Sequence, residues 1–285
     1  MSRNYKLQRW LSVAVAFSVV AGSGGQAAEL DAVEKAIVKS VNQSVVQALR
    51  DLEEVVNLNS GTMNFDGVRQ VGDFFRSRLD GLGFETRWVD GASFGRAGHL
   101  VAEHKGSGSG PALLLIGHLD TVFEPDSPFQ RYEALNDSIV RGPGIADMKG
   151  GDVIIIQALA ALQAAGVLDK MNVRVVMTGD EERSGHPLSL ARKALIEAAE
   201  AADIAIGFEN GDGDPATAIV ARRGATQWKL LVSGTSAHSS QVFQERVGAG
   251  AIYEASRILT GFYERLATQE YLTFNPGVIL GGTDV

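Results

Sequence analysis

The sequence predicts an α/β fold on a largely parallel sheet, and three observations carry that expectation. Residues 112–117, 172–178 and 204–208 are short, nearly continuous apolar runs, the pattern of strands buried on both faces by covering helices. Helical patterns at residues 150–165 and 187–202 fall between the runs, so strands and helices alternate as parallel sheets require. Each run also ends in acids or a histidine, and open α/β sheets bind ligands beyond the carboxyl ends of their strands.

The remaining elements follow in chain order. Residues 30–56 place Ala32, Val33, Ile37, Val41, Val45 and Leu49 at helical spacing, and Asn59-Ser60-Gly61 breaks the pattern. A second helix is predicted over residues 66–82, with Val68, Val71, Phe74, Phe75 and Leu79 on one face and Gly83 closing it. Short strands are predicted at residues 86–89 and 99–103, before a Gly/Ser turn at residues 106–110. Residues 150–165 read as a buried helix and residues 187–202 as an amphipathic one. After Gly224 the texture changes: a strand at residues 226–232, a long helix at 246–266 and a strand at 271–280 read as a β-α-β unit opening a second domain.

Composition bounds the function. With 285 residues, 45% hydrophobic and 21% charged, the chain is neither collagen-like, low in complexity nor wholly disordered. Its net charge of −8 argues against a nucleic-acid partner, which requires a basic face. Cysteine is absent, so disulfides, thiolate metal sites and cysteine nucleophiles are excluded, and any metal must be held by His, Asp or Glu. Residues 1–28 read as a secretory signal peptide: basic Arg3, Lys6 and Arg9, an apolar run from Trp10 to Ala21, then small residues ending in Ala27-Ala28. The expectation is a periplasmic or secreted protein with no stable membrane anchor once the signal is cleaved; an uncleaved anchor is the competing reading.

The chemistry gathers at strand ends. The first apolar run leads into Gly117-His118-Leu119-Asp120, the second into Gly179-Asp180-Glu181-Glu182, and the third into Glu209. Between the first two lies a Gly-rich loop opening a helix, Gly142-Pro143-Gly144-Ile145-Ala146-Asp147-Met148-Lys149-Gly150. Each element alone is ordinary; their joint occurrence at successive strand ends is informative. His118, Asp147, Glu181, Glu182 and Glu209 are expected to converge. So many carboxylates cannot stay ionised together without a counter-charge, which one or two divalent cations supply. Imidazole and carboxylate without thiolate suit Zn²⁺, Co²⁺ or Mn²⁺. Asp120, two residues after His118, suits the role of accepting the other imidazole N–H. No dinucleotide fingerprint, P-loop or G-x-S-x-G elbow competes. His99, His104 and His186 match no motif.

In this order the motifs resemble those of metallopeptidase family M20, and within it the glutamate carboxypeptidases. The later stretch Arg223-Gly224 and Ser233-Gly234-Thr235-Ser236-Ala237-His238-Ser239 resembles the start of the family's inserted domain. The resemblance implies a zinc-hydrolase (aminopeptidase-like) domain over residues 29–220 with a mostly parallel central sheet. It adds a ferredoxin-like α+β lid over residues 221–285, incomplete here, through which such proteins form homodimers. It implies two zinc ions, with cobalt possible: Asp147 bridging them, His118 and Glu209 on one, and Glu182 on the other. It makes Glu181 the general base, Asp120 the residue orienting His118, and His238 an oxyanion-stabilising residue that reaches a partner's site. The peptide bond after Asp147 is often cis in the family.

The implied activity is exopeptidase cleavage of an amide bond in a small peptide or N-acyl amino acid, releasing a C-terminal residue such as glutamate. Against the family pattern the chain stops within the lid, before the last zinc-ligand histidine and the arginine that grips a substrate carboxylate. Two alternatives therefore accompany the main expectation: an inactive truncated fragment of such an enzyme, or a deacylase or dipeptidase of small N-acyl amino acids.

Overall fold

The computed structural model describes residues 29–282, except 215 and 268, so the expected export signal lies outside the described residues. Two units are present, one up to Asn210 and one from Gly211 onward.

In the first unit, helix α1 (Ala32–Val56) begins where Asp31 and Glu34 form a capping box: the Asp31 carboxylate accepts the Val33 and Glu34 amides, and Glu34 accepts the Asp31 amide. Helix α2 (Phe65–Gly81) is capped by Asn64 and followed by Gly83 at φ 85°, the left-handed residue that lets the chain leave a helix. Strands β1 (Glu85–Asp90), β2 (Gly98–His104) and β3 (Ala112–His118) follow. A hairpin of β4 (Glu133–Asn136) and β5 (Ile139–Arg141), not among the expected elements, precedes α3 (Gly150–Ala164) and β6 (Asn172–Thr178). Helices α4 (Leu188–Ala191) and α5 (Lys193–Glu200) lead to β7 (Ile204–Gly207).

The main sheet has the order β1-β2-β6-β3-β7, with β6, β3 and β7 parallel and β2 antiparallel to both of its neighbours, β1 and β6. Side chains alternate across it. Leu100, Ala102, Leu115, Val173, Val175 and Met177 face α1, α2 and α3 in the larger core, whereas Val101, Leu114 and Val176 face Ala194 and Ala198 of α5. Burial on both faces is why β3 reads as a continuous apolar run and β6 as one interrupted only at Arg174.

Three expectations for this unit need correction. β7 is not buried on both faces: it is an edge strand whose Ile204 and Ile206 are 46% and 42% exposed, because the covering helices lie over β3 and β6. The helix expected over residues 187–202 is two helices broken at Arg192, whose side chain is engaged elsewhere. α3 is buried along one side only, since Ile154 is exposed.

In the second unit, helix α6 (Ala251–Leu266) starts later than expected, after Gly248 and Gly250 adopt positive φ. The strands expected at residues 226–232 and 271–280 do not form; among the described residues neither segment pairs into a sheet, and a strand without a ladder is not stable. Both segments still flank the helix: Phe262 of α6 meets Trp228 and Phe274 edge-on, at centroid distances of 5.7 and 6.4 Å. Among the described residues, no helix is long and apolar enough to cross a membrane.

Candidate metal centre

Sheet register assembles the centre. β3 and β6 pair so that His118 lies opposite Thr178, the last residue of each strand. β7 pairs with Ile116 opposite Gly207, and the Phe208 amide donates to the Ile116 carbonyl at 3.1 Å, carrying Glu209 to the same end of the sheet. Glycines make room underneath. A Cβ on Gly117 would come within 2.0 Å of Asp152 Oδ1, and one on Gly179 within 2.4 Å of the Gly98 carbonyl. The Gly142–Gly150 loop turns through Gly144 at φ 74° to deliver Asp147, whose bond to Met148 is cis.

His118 is buried, and its Nε2 lies 3.0 Å from Asp147 Oδ1 and 3.1 Å from Glu209 Oε1. Ligand atoms of His118, Asp147 and Glu209 fall within 4.8 Å of one another, and so do those of His118, Glu181 and Glu182. The five residues expected to converge are therefore together around one imidazole. His238 lies in the second unit, exposed, with Nδ1 3.0 Å from the Ser240 hydroxyl and accepting the Ser240 amide.

Asp120 does more than the sequence predicts. His118 Nδ1 is nearer the Asp120 main-chain carbonyl (3.0 Å) than its carboxylate (3.5 Å). The carboxylate itself accepts the Thr62 hydroxyl at 2.7 Å and the amides of Glu181 and Glu182 at 3.0 and 3.1 Å. It thus ties the end of β3 to the loop after β6. Burial alone would raise this carboxyl, but contact with His118 and Thr62 holds it below the ordinary range.

The donor set fits a divalent cation. Both neighbours of His118 Nδ1 are acceptors, so Nδ1 carries hydrogen and Nε2 of a neutral ring presents a lone pair to two carboxylates. That arrangement repels unless Nε2 also binds a proton or the three groups share a cation. The protein alone shows the strain: burial opposes charge on His118, yet Asp120 and Glu209 drive its pKa up to about 12. Burial, with Asp147 and Glu181 adding repulsion, raises Glu182 to about 7, and burial likewise raises Glu181.

Several residues around the centre carried no sequence signal. Lys149 is buried and donates from Nζ to the carbonyls of Val55 and Leu58 at 3.0 and 2.7 Å; burial lowers its pKa to about 7. Asp152 is wholly buried, its oxygens make no hydrogen bond, and burial raises it well above the ordinary carboxyl range. His99 is buried too, stacked on Phe94, accepting the Gly179 amide at Nδ1 and donating from Nε2 to the Ala191 carbonyl. His104 contacts the Met171 carbonyl, and the His186–Pro187 bond is cis.

Comparison with known proteins places these features. A model of Peptidase family M20/M25/M40 matches residues 114–285. Carboxypeptidase G2 of Pseudomonas sp. (strain RS-16) is 28% identical over 211 residues, covering 74% of this chain and 49% of that protein. A succinyl-diaminopimelate desuccinylase of Leptothrix cholodnii is 30% identical over 138 residues, covering 46% of this chain and 35% of that protein. The chain thus spans about half the length, or less, of these curated relatives. Human carnosine dipeptidase 1 shares the fold, with a TM-score of 0.51 at 18% identity over 62% of this chain and 41% of that one.

Proposed function

Since the chain belongs to Peptidase family M20/M25/M40 and is by that membership a hydrolase of the peptidase type, we propose that it is a dinuclear zinc exopeptidase releasing a C-terminal amino acid such as glutamate. One observation carries the metal in this reading: four carboxylates from two strand ends and the 142–150 loop close on His118, whose remaining nitrogen has only acceptors before it. Asp147 would bridge the two ions, His118 and Glu209 would complete one site, and Glu182 would serve the other. Ions held there supply Lewis acidity toward a scissile carbonyl and acidify water.

The chain's own residues do the rest. Glu181 Oε receives the proton of the attacking water and passes it to the nitrogen of the leaving amine. Burial raises its pKa, the direction that suits a group that must both take and return a proton. Asp120 holds the Glu181 amide, so the base and His118 share one support. His238 stabilises the developing oxyanion at the site of a homodimer partner. Export through residues 1–28 belongs to the same reading.

Similarity to the succinyl-diaminopimelate desuccinylase of Leptothrix cholodnii favours a second reading, a deacylase of N-acyl amino acids. A panel of N-acyl glutamates, N-succinyl amino acids and dipeptides separates the two by which class is turned over. The central test is Glu181→Gln: turnover should fall to background while zinc, measured by elemental analysis, stays bound. Retained turnover removes Glu181 as the base, and a parental protein that binds no zinc defeats the metal reading.

A further inference from the structure

We propose that Arg192 is a positioning residue for the loop that carries Glu181 and Glu182, acting through Asp180 and Ser184 without touching the centre. The inference rests on the metal reading above for its consequence, but its geometry stands apart from it. The loop between β6 and α4 has no helix or strand of its own, yet it must hold two adjacent carboxylates toward His118. Its neighbour Asp180 is fully buried and turns its carboxylate to Arg192 instead.

The guanidinium closes the loop on itself. Arg192 Nη1 donates to Asp180 Oδ1 at 2.6 Å; Nη2 donates to the Asp180 carbonyl at 3.2 Å and to Ser184 Oγ at 2.7 Å. Asp180 Oδ2 accepts the Gly185 amide at 2.8 Å, so both ends of the turn meet one planar fork. Arg96 adds a second grip, donating to the carbonyls of Arg183 and Ser184 at 2.7 and 2.9 Å. His99 ties the Gly179 amide to the Ala191 carbonyl, the residue before Arg192. On the other side Asp120 takes the amides of Glu181 and Glu182. The main chain is thus gripped from both sides while the two acidic side chains face His118.

The interruption between α4 and α5 belongs to the same device, because Arg192 stands at the break with both helices behind it. A fork that binds three acceptors at fixed angles is a task for arginine. Lysine keeps the charge that compensates Asp180 but offers no planar array of donors.

Hydrogen exchange on Arg192→Lys, with zinc-free protein, tests the geometry directly. The amides of Glu181, Glu182 and Gly185 should exchange at least about tenfold faster, while those of Val175 and Val176 in β6 keep the parental rate. Zinc affinity of the same variant should drop about 10–100-fold, the range for losing a group that orients metal ligands. Ser184→Ala, which removes one acceptor of the fork and no charge, should give the same local pattern at smaller amplitude and covers the case in which Arg192→Lys does not fold. Lys193→Ala, on the exposed face of α5, should change nothing. Parental exchange at the three loop amides in Arg192→Lys, or in Ser184→Ala if the lysine variant is unfolded, overturns the proposal, as does acceleration spread equally through β6. If the parental protein binds no zinc, the metal reading fails while the exchange result still decides the role of Arg192.

Discussion

Two loops bring carboxylates to His118, and they are fastened by different cations. The loop of residues 142–150 delivers Asp147 and is pinned by Lys149, a point charge beneath α1 that donates to the carbonyls of Val55 and Leu58. The loop after β6 delivers Glu181 and Glu182 and is pinned by Arg192, a fork bound to a buried carboxylate. Lys149 has no hydrogen-bonded counter-ion among the described contacts, and burial has pulled its pKa to about 7. A guanidinium, unlike an amine, does not lose its charge in proteins. One anchor is therefore pH-sensitive and attached to a helix end; the other is fixed in charge and attached to the loop it holds.

The difference is broken most forcefully at Lys149. The folded-state pKa of this amine lies below its unfolded value of 10.5, so between about 7 and 10.5 the unfolded chain binds the extra proton and stability rises with pH. Lys149→Met removes that rise. At pH about 9 it should also cost about 1–3 kcal/mol, since the Val55 and Leu58 carbonyls lose their donor. Urea melts of the zinc-free protein at pH 7 and 9 measure both effects. A variant that keeps the parental pH dependence shows that Lys149 is not the titrating anchor.

A change beneath both loops asks whether they act independently. Gly117 lies on β3 just before His118, and a Cβ there would meet Asp152 Oδ1 at 2.0 Å. Gly117→Ala should cost about 1–3 kcal/mol by overpacking, and because it displaces His118, the shared partner, it should weaken zinc at both ligand groups together. Calorimetric titration with zinc reads this; parental affinity with a lowered Tm would show that the strain is absorbed away from the imidazole.

These contrasts also explain what was legible in the sequence. β3 and β6 are legible because helices cover both of their faces, leaving runs that are apolar or nearly so. β7 carries the same kind of run yet sits at the edge, since a run records side-chain character and not what lies against it. The acids and His118 were legible because their positions follow strand ends. Their supports were not: Thr62 reaches Asp120 across 58 residues of chain, and Arg192 looked like one more charge on an amphipathic helix. His99, which matched no motif, turned out to hold the Gly179 amide. The expected strands near residues 226–232 and 271–280 had the right composition, but a strand exists only with a partner, and partners are not written locally.

The mildest test lies on the loop that Arg192 holds. Burial and its acidic neighbours raise Glu182 to about 7 in the folded protein, against 4.5 for the free group. Below pH 4.5 both states are protonated and this contribution to stability is fully present. Between 4.5 and about 7 the folded protein keeps a proton that the unfolded chain releases, so the contribution is lost as pH rises through that window. The group is partly exposed, which keeps the effect small. Thermal melts of zinc-free protein should therefore show a shallow decline from pH 4.5 to 7 that Glu182→Gln flattens. Saturating zinc should flatten it too, since a bound cation favours the ionised carboxylate. This slope runs opposite in sign to the one Lys149 contributes above pH 7, so a single pH series on the parental protein, Glu182→Gln and Lys149→Met assigns each limb to its own loop. If either substitution altered both limbs equally, the two anchors would be one coupled system and the contrast between them would fall.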